Sequence, residues 1–265
     1  MLNYIIWDVK PEIFEIFGLS IRWYGLLWAM GIWLALLITQ RIYKNDGLPD
    51  KWLDKLFIYT VIGTIVGARL GHCLFYNPAY YLANPFEILN LRQGGLSSHG
   101  AALGIIISTF LYDKKVSKKS IIWVFDRFVM GVAIAGALIR FGNLMNSEIY
   151  GGPTTLPWGF VFVNDGQTEP MHPTQIYEIL YCLITFGVSW WLYKKKNGLQ
   201  RRGLIFGVFL VGIFFSRFLI EFIKNDQEAF EQGMLLNMGQ ILSLPLIIWG
   251  VWLIFNALRD KNIKK

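Results

Sequence analysis

The chain has 265 residues, of which 54% are hydrophobic and 16% aromatic, against only 16% that are charged. This balance excludes an ordinary soluble domain and indicates burial in a lipid bilayer. The net charge of +7 requires no nucleic-acid partner, because the basic residues are concentrated between apolar stretches, where anionic lipid head groups would meet them.

The first twenty residues lack a basic start followed by an apolar run, so we expect no cleavable signal peptide there. Apolar residues in this region stand among charged ones, which predicts a short segment lying on the outer membrane surface. These apolar residues are Ile5, Ile6, Ile13, Phe14, Ile16 and Phe17.

Seven apolar stretches follow, each close to the length of about 20 residues that spans a bilayer as a helix. Their length and lack of strict alternation favour helices over the strands of a barrel, the other architecture that satisfies the backbone in lipid. The sequence therefore predicts an all-α polytopic membrane protein that forms a single domain over residues 1–265. The stretches are Ile21–Thr39, Leu56–Phe75, Leu96–Tyr112, Ile121–Gly142, Ile176–Tyr193, Leu204–Ile223 and Met238–Leu258.

The basic residues predict the orientation of these spans. Four clusters, after the first, third, fifth and seventh stretches, hold 17 of the 25 lysines and arginines. The positive-inside rule places these clusters in the cytoplasm. We therefore expect the amino terminus outside and the carboxyl terminus in the cytoplasm.

Ten ionisable residues lie toward the outward half of the predicted spans: Arg22, Arg69, His72, His99, Asp126, Arg127, Arg140, Glu178, Arg217 and Glu221. A charge at the centre of a transmembrane helix costs about 2.5 to 3.5 kcal/mol, so such residues usually face a polar interior. Several together predict a wet cavity that opens outward. Taken singly, most have a structural interpretation; Arg217 and Glu221, for example, stand at i and i+4 and can pair within one helix.

The stretch from Arg140 to Gly152 holds the densest set of polar groups. A guanidinium matches phosphate oxygens geometrically, the amides of Asn143 and Asn146 supply neutral donors, and glycine lets the backbone approach a ligand closely. Together with Glu148, this set predicts a site for an anionic lipid head group. His99 opens the third span and is a candidate proton acceptor near neutral pH.

The sequence gives no reason to expect a metal or another cofactor. The three histidines, His72, His99 and His172, lack the spacing of metal ligands. Cys73 and Cys182 both fall within predicted spans and are interpreted as small apolar residues.

Several distinct motifs follow one another along nearly the whole chain. They include Ile21–Leu26 (IRWYGL), Ser98–Gly100 (SHG), Arg140–Asn143 (RFGN), His172–Glu178 (HPTQIYE), and Arg217 with Glu221. At these residues the chain resembles the prolipoprotein diacylglyceryl transferases. Lys224 and Ser98 depart from the pattern, since an arginine and a bulkier apolar residue are expected there.

The resemblance implies an enzyme of the bacterial inner membrane, with its active site toward the outer face. Its partners would be the bilayer, phosphatidylglycerol and the signal peptide of a prolipoprotein with its lipobox cysteine. The enzyme would carry out the first step of lipoprotein maturation, in which the diacylglyceryl group moves to the cysteine thiol, a thioether forms and glycerol phosphate is released. The resemblance implies essential roles for Tyr24, His99, Arg140, Asn143, Glu148, Gly151, Arg217 and Glu221.

From these residues we expect Tyr24, His99, Arg140 and Arg217 to be catalytic. Substrate binding is expected of Arg140, Asn143, Asn146, Glu148, Gly151, Arg217 and Glu221. Two other functions compete with this interpretation. A secondary transporter or lipid flippase would use intramembrane charges as a path, but such proteins often contain internal repeats, and none is detected. A structural subunit would use charged pairs for helix packing only, which leaves the Arg140–Gly151 cluster unexplained.

Overall fold

The structure of the protein is a computed structural model that describes residues 4–16, 18–75, 78–90, 95, 97–195, 198–225 and 235–259. Helices dominate the described residues, as the long apolar runs predict. The expectation of an all-α protein is nevertheless incomplete, because four short strands are also present in these ranges. All four lie outside the predicted spans or at their edges.

The α-helices are α1 (Trp23–Asn45), α2 (Asp50–Phe75), α3 (Pro78–Ala83), α4 (Ser98–Tyr112), α5 (Ile121–Met145), α6 (Thr174–Lys195), α7 (Leu204–Ile220) and α8 (Met238–Arg259). Short 3-10 turns cover Pro85–Leu89, Val163–Asp165 and Gly198–Gln200, and a π turn covers Asp113–Ser117. Each of the seven predicted apolar stretches coincides with one helix, and among the described residues only one α-helix, the short α3, lies between stretches.

Five of these helices, α1, α2, α5, α6 and α8, are long and apolar enough to cross a membrane. The other two predicted spans are shorter, with 15 residues in α4 and 17 in α7. At a rise of about 1.5 Å per residue they extend about 23 and 26 Å, somewhat less than the hydrocarbon thickness of about 30 Å. The count of seven spans therefore stays a prediction.

The region before α1 contains three of the strands. β2 (Glu12–Ile16) and β3 (Leu19–Arg22) form an antiparallel hairpin, while β1 (Tyr4–Trp7) pairs in parallel with β4 (Gly159–Phe162), from Tyr4 opposite Gly159 to Trp7 opposite Phe162. Ile5, Ile6, Phe14 and Ile16 are exposed. Exposed apolar side chains are what a membrane-surface segment requires, and that location stays a prediction.

The chain divides into two compact units. One comprises Met1–Thr39 with Phe125–Lys265, and the other comprises Gln40–Val124. The expectation of a single domain stays a prediction.

Small residues bring α2 and α4 together within the unit Gln40–Val124. A Cβ added to Gly67 would lie 2.3 Å from the carbonyl oxygen of Gly100, and one added to Gly104 would lie 2.0 Å from that of Gly63. Their spacing of four residues, at 63 and 67 in α2 and at 100 and 104 in α4, is the small-xxx-small pattern of closely packed membrane helices. Glycine is required here because any side chain would separate the two backbones.

Two of the charged residues within the helices satisfy backbone groups. The Arg69 guanidinium donates to the carbonyl oxygens of Glu87 (2.6 Å), Ile88 (2.8 Å) and Asn90 (2.9 Å), and so holds the end of the 3-10 turn that follows α3. In the other unit, the Asp126 carboxylate accepts from the backbone N–H groups of Gly203 (2.6 Å) and Phe206 (2.9 Å) at the start of α7. These contacts support the structural interpretation of both residues.

An apolar cluster lies beyond the carboxyl end of α5 in the unit Met1–Thr39 with Phe125–Lys265. Leu144, Phe160, Phe162 and Met171 are buried there, and the Trp7 indole donates to the carbonyl oxygen of Leu144 at 3.0 Å. The cluster links β1, β4 and the end of α5. It therefore supports the loop that carries the polar residues described next.

Candidate active site

Arg140 lies in the last two turns of α5 and contacts a buried carboxylate of α6. Its Nε lies 2.9 Å from Oε2 of Glu178, whose side chain is only 1% exposed. Its Nη1 donates to Oδ1 of Asn143 at 3.3 Å, one helical turn later. The Arg140 guanidinium is thus held at two of its nitrogens, by the Glu178 carboxylate at Nε and by the Asn143 amide at Nη1.

Lys224 connects Glu178 to the Arg217–Glu221 ion pair at the end of α7. Its Nζ lies 3.2 Å from Oε1 of Glu178 and 4.0 Å from Oε1 of Glu221. The same Glu221 oxygen lies 3.2 Å from Nε of Arg217, and the other Glu221 oxygen accepts from the Asn237 side chain at 3.1 Å. The i, i+4 pair expected from the sequence is therefore confirmed. We call the connected set the charge network: Arg140, Glu178, Lys224, Glu221 and Arg217.

The members of the charge network differ in exposure. The side chains of Glu178, Glu221 and Lys224 are 1%, 5% and 2% exposed, whereas those of Arg140 and Arg217 are 23% and 28% exposed. Burial lowers the pKa of Lys224, and the neighbouring Glu178 carboxylate opposes this effect. The two guanidinium groups are therefore the members of the network that a ligand can reach.

The loop after α5 turns sharply between Asn146 and Ile149. Ser147 and Ile149 have positive φ angles of 54° and 62°, which are uncommon for residues other than glycine and especially so for a β-branched one. Glu148, between them, accepts from the side-chain amides of Asn143 (2.7 Å) and Asn146 (3.3 Å). Such strained backbone persists only where the surroundings hold it, and it concentrates at functional sites.

The start of α6 holds this turn in place. The Thr174 hydroxyl donates to the carbonyl oxygen of Ile149 at 3.0 Å, and the Gln175 amide donates to that of Glu148 at 2.7 Å. Both side chains are completely buried. The HPTQ motif thus has a physical explanation, because its last two residues bind the backbone that presents Glu148.

Gly151 lies where two segments meet. Its N–H donates to the carbonyl oxygen of His172, and it forms an antiparallel bridge with Lys224. A Cβ at this position would lie 2.3 Å from the carbonyl oxygen of Ile223 and 2.9 Å from the Cβ of His172. Only glycine lets the backbones of Gly151 and Lys224 approach this closely, which suggests a structural reason for the expected importance of Gly151.

Replacing Gly151 by alanine is expected to reduce activity at least tenfold, because the added methyl group overlaps backbone that cannot move aside cheaply. The matched control is Gly152→Ala, whose added Cβ would meet, within the described part of the chain, only the Asn225 side chain, at 3.6 Å. Initial rates and melting temperatures of the two variants provide the measurement. Equal activity of both variants would show that the close approach at Gly151 is unimportant.

Tyr24 and His99 occupy different units. The ring of Tyr24, in the first turn of α1, packs against Gly142 of α5, where an added Cβ would lie 2.8 Å from Tyr24 Cδ2. His99 is exposed in the first turn of α4, just after Ser97, whose Oγ accepts from the N–H of Gly100 at 3.3 Å. The roles expected of these two residues stay predictions.

Six of the expected site residues thus form one connected hydrogen-bond and charge arrangement: Arg140, Asn143, Asn146, Glu148, Arg217 and Glu221. Glu178 and Lys224 also belong to the arrangement, and neither is among the residues expected from the sequence to be catalytic or to bind substrate, although both are charged residues at or near predicted spans. The described residues include no group of three or more His, Cys, Asp or Glu side chains placed to hold a metal ion. The arrangement suits an oxyanion, since its accessible cationic groups are the guanidiniums of Arg140 and Arg217.

Comparison with known proteins identifies relatives along the entire chain. The prolipoprotein diacylglyceryl transferase family matches residues 11–256. A phosphatidylglycerol–prolipoprotein diacylglyceryl transferase of Porphyromonas gingivalis is 49% identical, over 99% of this chain and 98% of that protein. Proteins with the same name from Bacteroides fragilis and Chloroherpeton thalassium are 42% and 39% identical, over 100% and 99% of this chain and 99% and 98% of their own lengths.

Proposed function

Because this chain belongs to the prolipoprotein diacylglyceryl transferase family, we propose that it modifies prolipoproteins with a group taken from phosphatidylglycerol. The sn-1,2-diacylglyceryl group moves to the thiol of the lipobox cysteine, a thioether forms and glycerol phosphate leaves. This is the first step of bacterial lipoprotein maturation. The observation that supports the proposal is the charge network, which holds two accessible guanidinium groups on buried carboxylates.

The reaction is a displacement at a glycerol carbon. The cysteine sulfur forms the new C–S bond as the C–O bond to phosphate breaks, and the bonding electrons leave with the phosphate oxygen. Negative charge on the phosphate therefore increases in the transition state. Cationic donors fixed beside it stabilise that state more than the ground state, which is the condition for catalysis.

In this mechanism Arg140 and Arg217 hold the phosphate of the lipid. Asn143, Asn146, Glu148 and Glu221 orient the head group or the guanidiniums, through the contacts that join them to Arg140 and Arg217. His99 accepts the thiol proton, because the thiolate is the reactive form of cysteine and a free thiol has a pKa of about 8.5. The Tyr24 hydroxyl donates a hydrogen bond to the head group or serves as an alternative proton relay, and Gly151 keeps the loop in place.

The proposed topology has seven spans in the cytoplasmic membrane, with the amino terminus and the active site on the outer side. A reporter fused after Lys265 should therefore behave as cytoplasmic, since the basic clusters are expected inside. Alkaline phosphatase and green fluorescent protein fusions measured in parallel give opposite readouts for the two locations. An external carboxyl terminus would overturn the topology.

The direct test of the function uses the purified protein, phosphatidylglycerol and a synthetic lipobox peptide. We expect the peptide mass to increase by one diacylglyceryl group, and a peptide with serine in place of the cysteine to stay unmodified. An unmodified cysteine peptide would refute the transferase. Movement of lipid between leaflets without any change in peptide mass would instead favour the flippase alternative.

A variant with both Cys73 and Cys182 replaced by alanine should transfer at the wild-type rate. Both thiols are buried in the structure, and the mechanism needs only the sulfur of the substrate. The same mass assay supplies the measurement. Loss of transfer without a fall in melting temperature would indicate a covalent intermediate on the enzyme and contradict direct displacement.

A further inference from the structure

Two buried residues of the charge network are positioned to control its two arginines. We propose that Glu178 and Lys224 are positioning residues: Glu178 fixes the orientation of Arg140, and Lys224 offsets the charge of the carboxylates that hold Arg140 and Arg217. This inference rests on the proposed function, because it assigns the two guanidiniums to the phosphate of the donor lipid. Glu178 and Lys224 would explain why the two guanidiniums remain available to that phosphate although each is paired with a carboxylate.

The orientation follows from which nitrogen atoms the carboxylates contact. Glu178 contacts Arg140 at Nε (2.9 Å), and Glu221 contacts Arg217 at Nε (3.2 Å). A guanidinium has a second edge, formed by its two terminal nitrogens, that matches two oxygens of a phosphate. Each carboxylate forms its ion pair with Nε, and on the terminal edge of Arg140 the Nη1 donates to Oδ1 of the neutral Asn143 amide at 3.3 Å. The two carboxylates therefore hold the arginines at Nε and do not occupy the edge best suited to the lipid.

The charges explain the need for Lys224. Arg140 with Glu178 and Arg217 with Glu221 would by themselves be two neutral pairs, with no positive charge in excess for an anion. The Lys224 ammonium lies between the two carboxylates, 3.2 Å from Glu178 and 4.0 Å from Glu221. It leaves the five residues of the charge network with one excess positive charge, which offsets the negative charge that Glu148, joined to Arg140 through Asn143, adds to the site. Such a charge acts strongly in a buried site, where screening by water is weak.

Burial argues against a purely structural role for these two residues. The side chains of Lys224 and Glu178 are 2% and 1% exposed. Well-packed apolar residues usually stabilise a fold as well as, or better than, a buried ion pair, because burying charges carries a large desolvation cost. The backbone of Lys224 is also held in position, by its antiparallel bridge to Gly151. These features are expected where the charge itself is used.

The test compares four variants of the full-length purified protein: Lys224→Met, Lys224→Arg, Glu178→Gln and the Glu178→Gln/Lys224→Met double variant. For each, kcat, the KM for phosphatidylglycerol and the melting temperature are measured. Lys224→Met removes the excess charge and should raise KM about tenfold, whereas Lys224→Arg keeps it and should stay within about threefold of wild type. Lys194→Met, at an exposed lysine of α6, is the matched control and should behave as wild type.

The double variant separates charge from packing. It removes one positive and one negative group, so the excess charge returns and KM should fall to within about threefold of wild type. Its kcat should stay about tenfold low, as should that of Glu178→Gln, because Arg140 has lost the carboxylate that orients it. If Lys224→Met does not fold, the double variant is compared with wild type instead, and a KM raised about tenfold would overturn the inference. The double variant leaves neither partner buried as an unpaired charge.

Two results would overturn the inference: a wild-type KM in Lys224→Met, or a double variant whose KM is raised as much as that of Lys224→Met. These outcomes are distinct from failure of the proposed function. If the wild-type protein transfers nothing from phosphatidylglycerol, the proposed function is wrong. If the wild type transfers and Arg140→Lys is impaired while the Glu178 and Lys224 variants match wild type, only this inference is wrong.

Discussion

Replacing Arg140 by lysine is expected to reduce the transfer rate about 100-fold or more, the usual effect of removing one fixed donor from a developing negative charge. Lysine keeps the positive charge but lacks the planar edge that binds two phosphate oxygens together. A lysine also has a methylene group where Arg140 has the Nε that forms an ion pair with Glu178 at 2.9 Å. Both the orientation of the cation and its two-point contact are therefore lost.

The matched control for this prediction is Arg22→Lys. Arg22 is exposed and pairs with the exposed Glu12 at 3.0 Å, an arrangement that contributes little to stability. Steady-state rates with phosphatidylglycerol and a lipobox peptide, together with melting temperatures, compare the two variants. Wild-type activity of Arg140→Lys would exclude Arg140 as a phosphate ligand.

Replacing His99 by glutamine is expected to reduce turnover about 100-fold or more, in the range that positioned general bases contribute. Glutamine keeps a polar side chain of similar length but cannot accept a proton at neutral pH. His99 is exposed in the first turn of α4, so the substitution removes no buried contact and should leave the fold intact.

The decisive comparison for His99 is between lipid binding and turnover. The affinity for phosphatidylglycerol should stay close to wild type in His99→Gln, because the proposed phosphate ligands are the two arginines. Equilibrium binding of a fluorescent phosphatidylglycerol and single-turnover transfer measure the two quantities separately. An unaltered single-turnover rate would rule out His99 as the base and direct attention to Tyr24.

The helices could be predicted from the sequence because each depends on local composition. All seven apolar stretches coincide with helices, and the sixth begins at Leu204 in both the prediction and the structure. The pairing of Arg217 with Glu221 also follows from spacing alone, since residues four apart are neighbours on a helix. By contrast, β1 could not be assigned, because its partner strand β4 lies more than 150 residues away along the chain.

The candidate site could be predicted only in part, for a similar reason. The polar residues at the end of α5 and just after it are close together in the chain, so the sequence alone shows that they form a cluster. Glu178 and Lys224 come from different segments, and nothing in their local sequence indicates that they meet at 3.2 Å. The same limit applies to Arg69 and Asp126, whose charges serve distant backbone groups. Spacing along a helix does not reveal contacts between elements.

The proposed mechanism requires both guanidinium groups to bind the phosphate of the donor lipid. An experimental structure of the protein in a lipid nanodisc with phosphatidylglycerol bound would show whether they do. We predict phosphate oxygens within about 3.2 Å of guanidinium nitrogens of both Arg140 and Arg217. A phosphate bound elsewhere, with both arginines facing only their carboxylates, would contradict the mechanism.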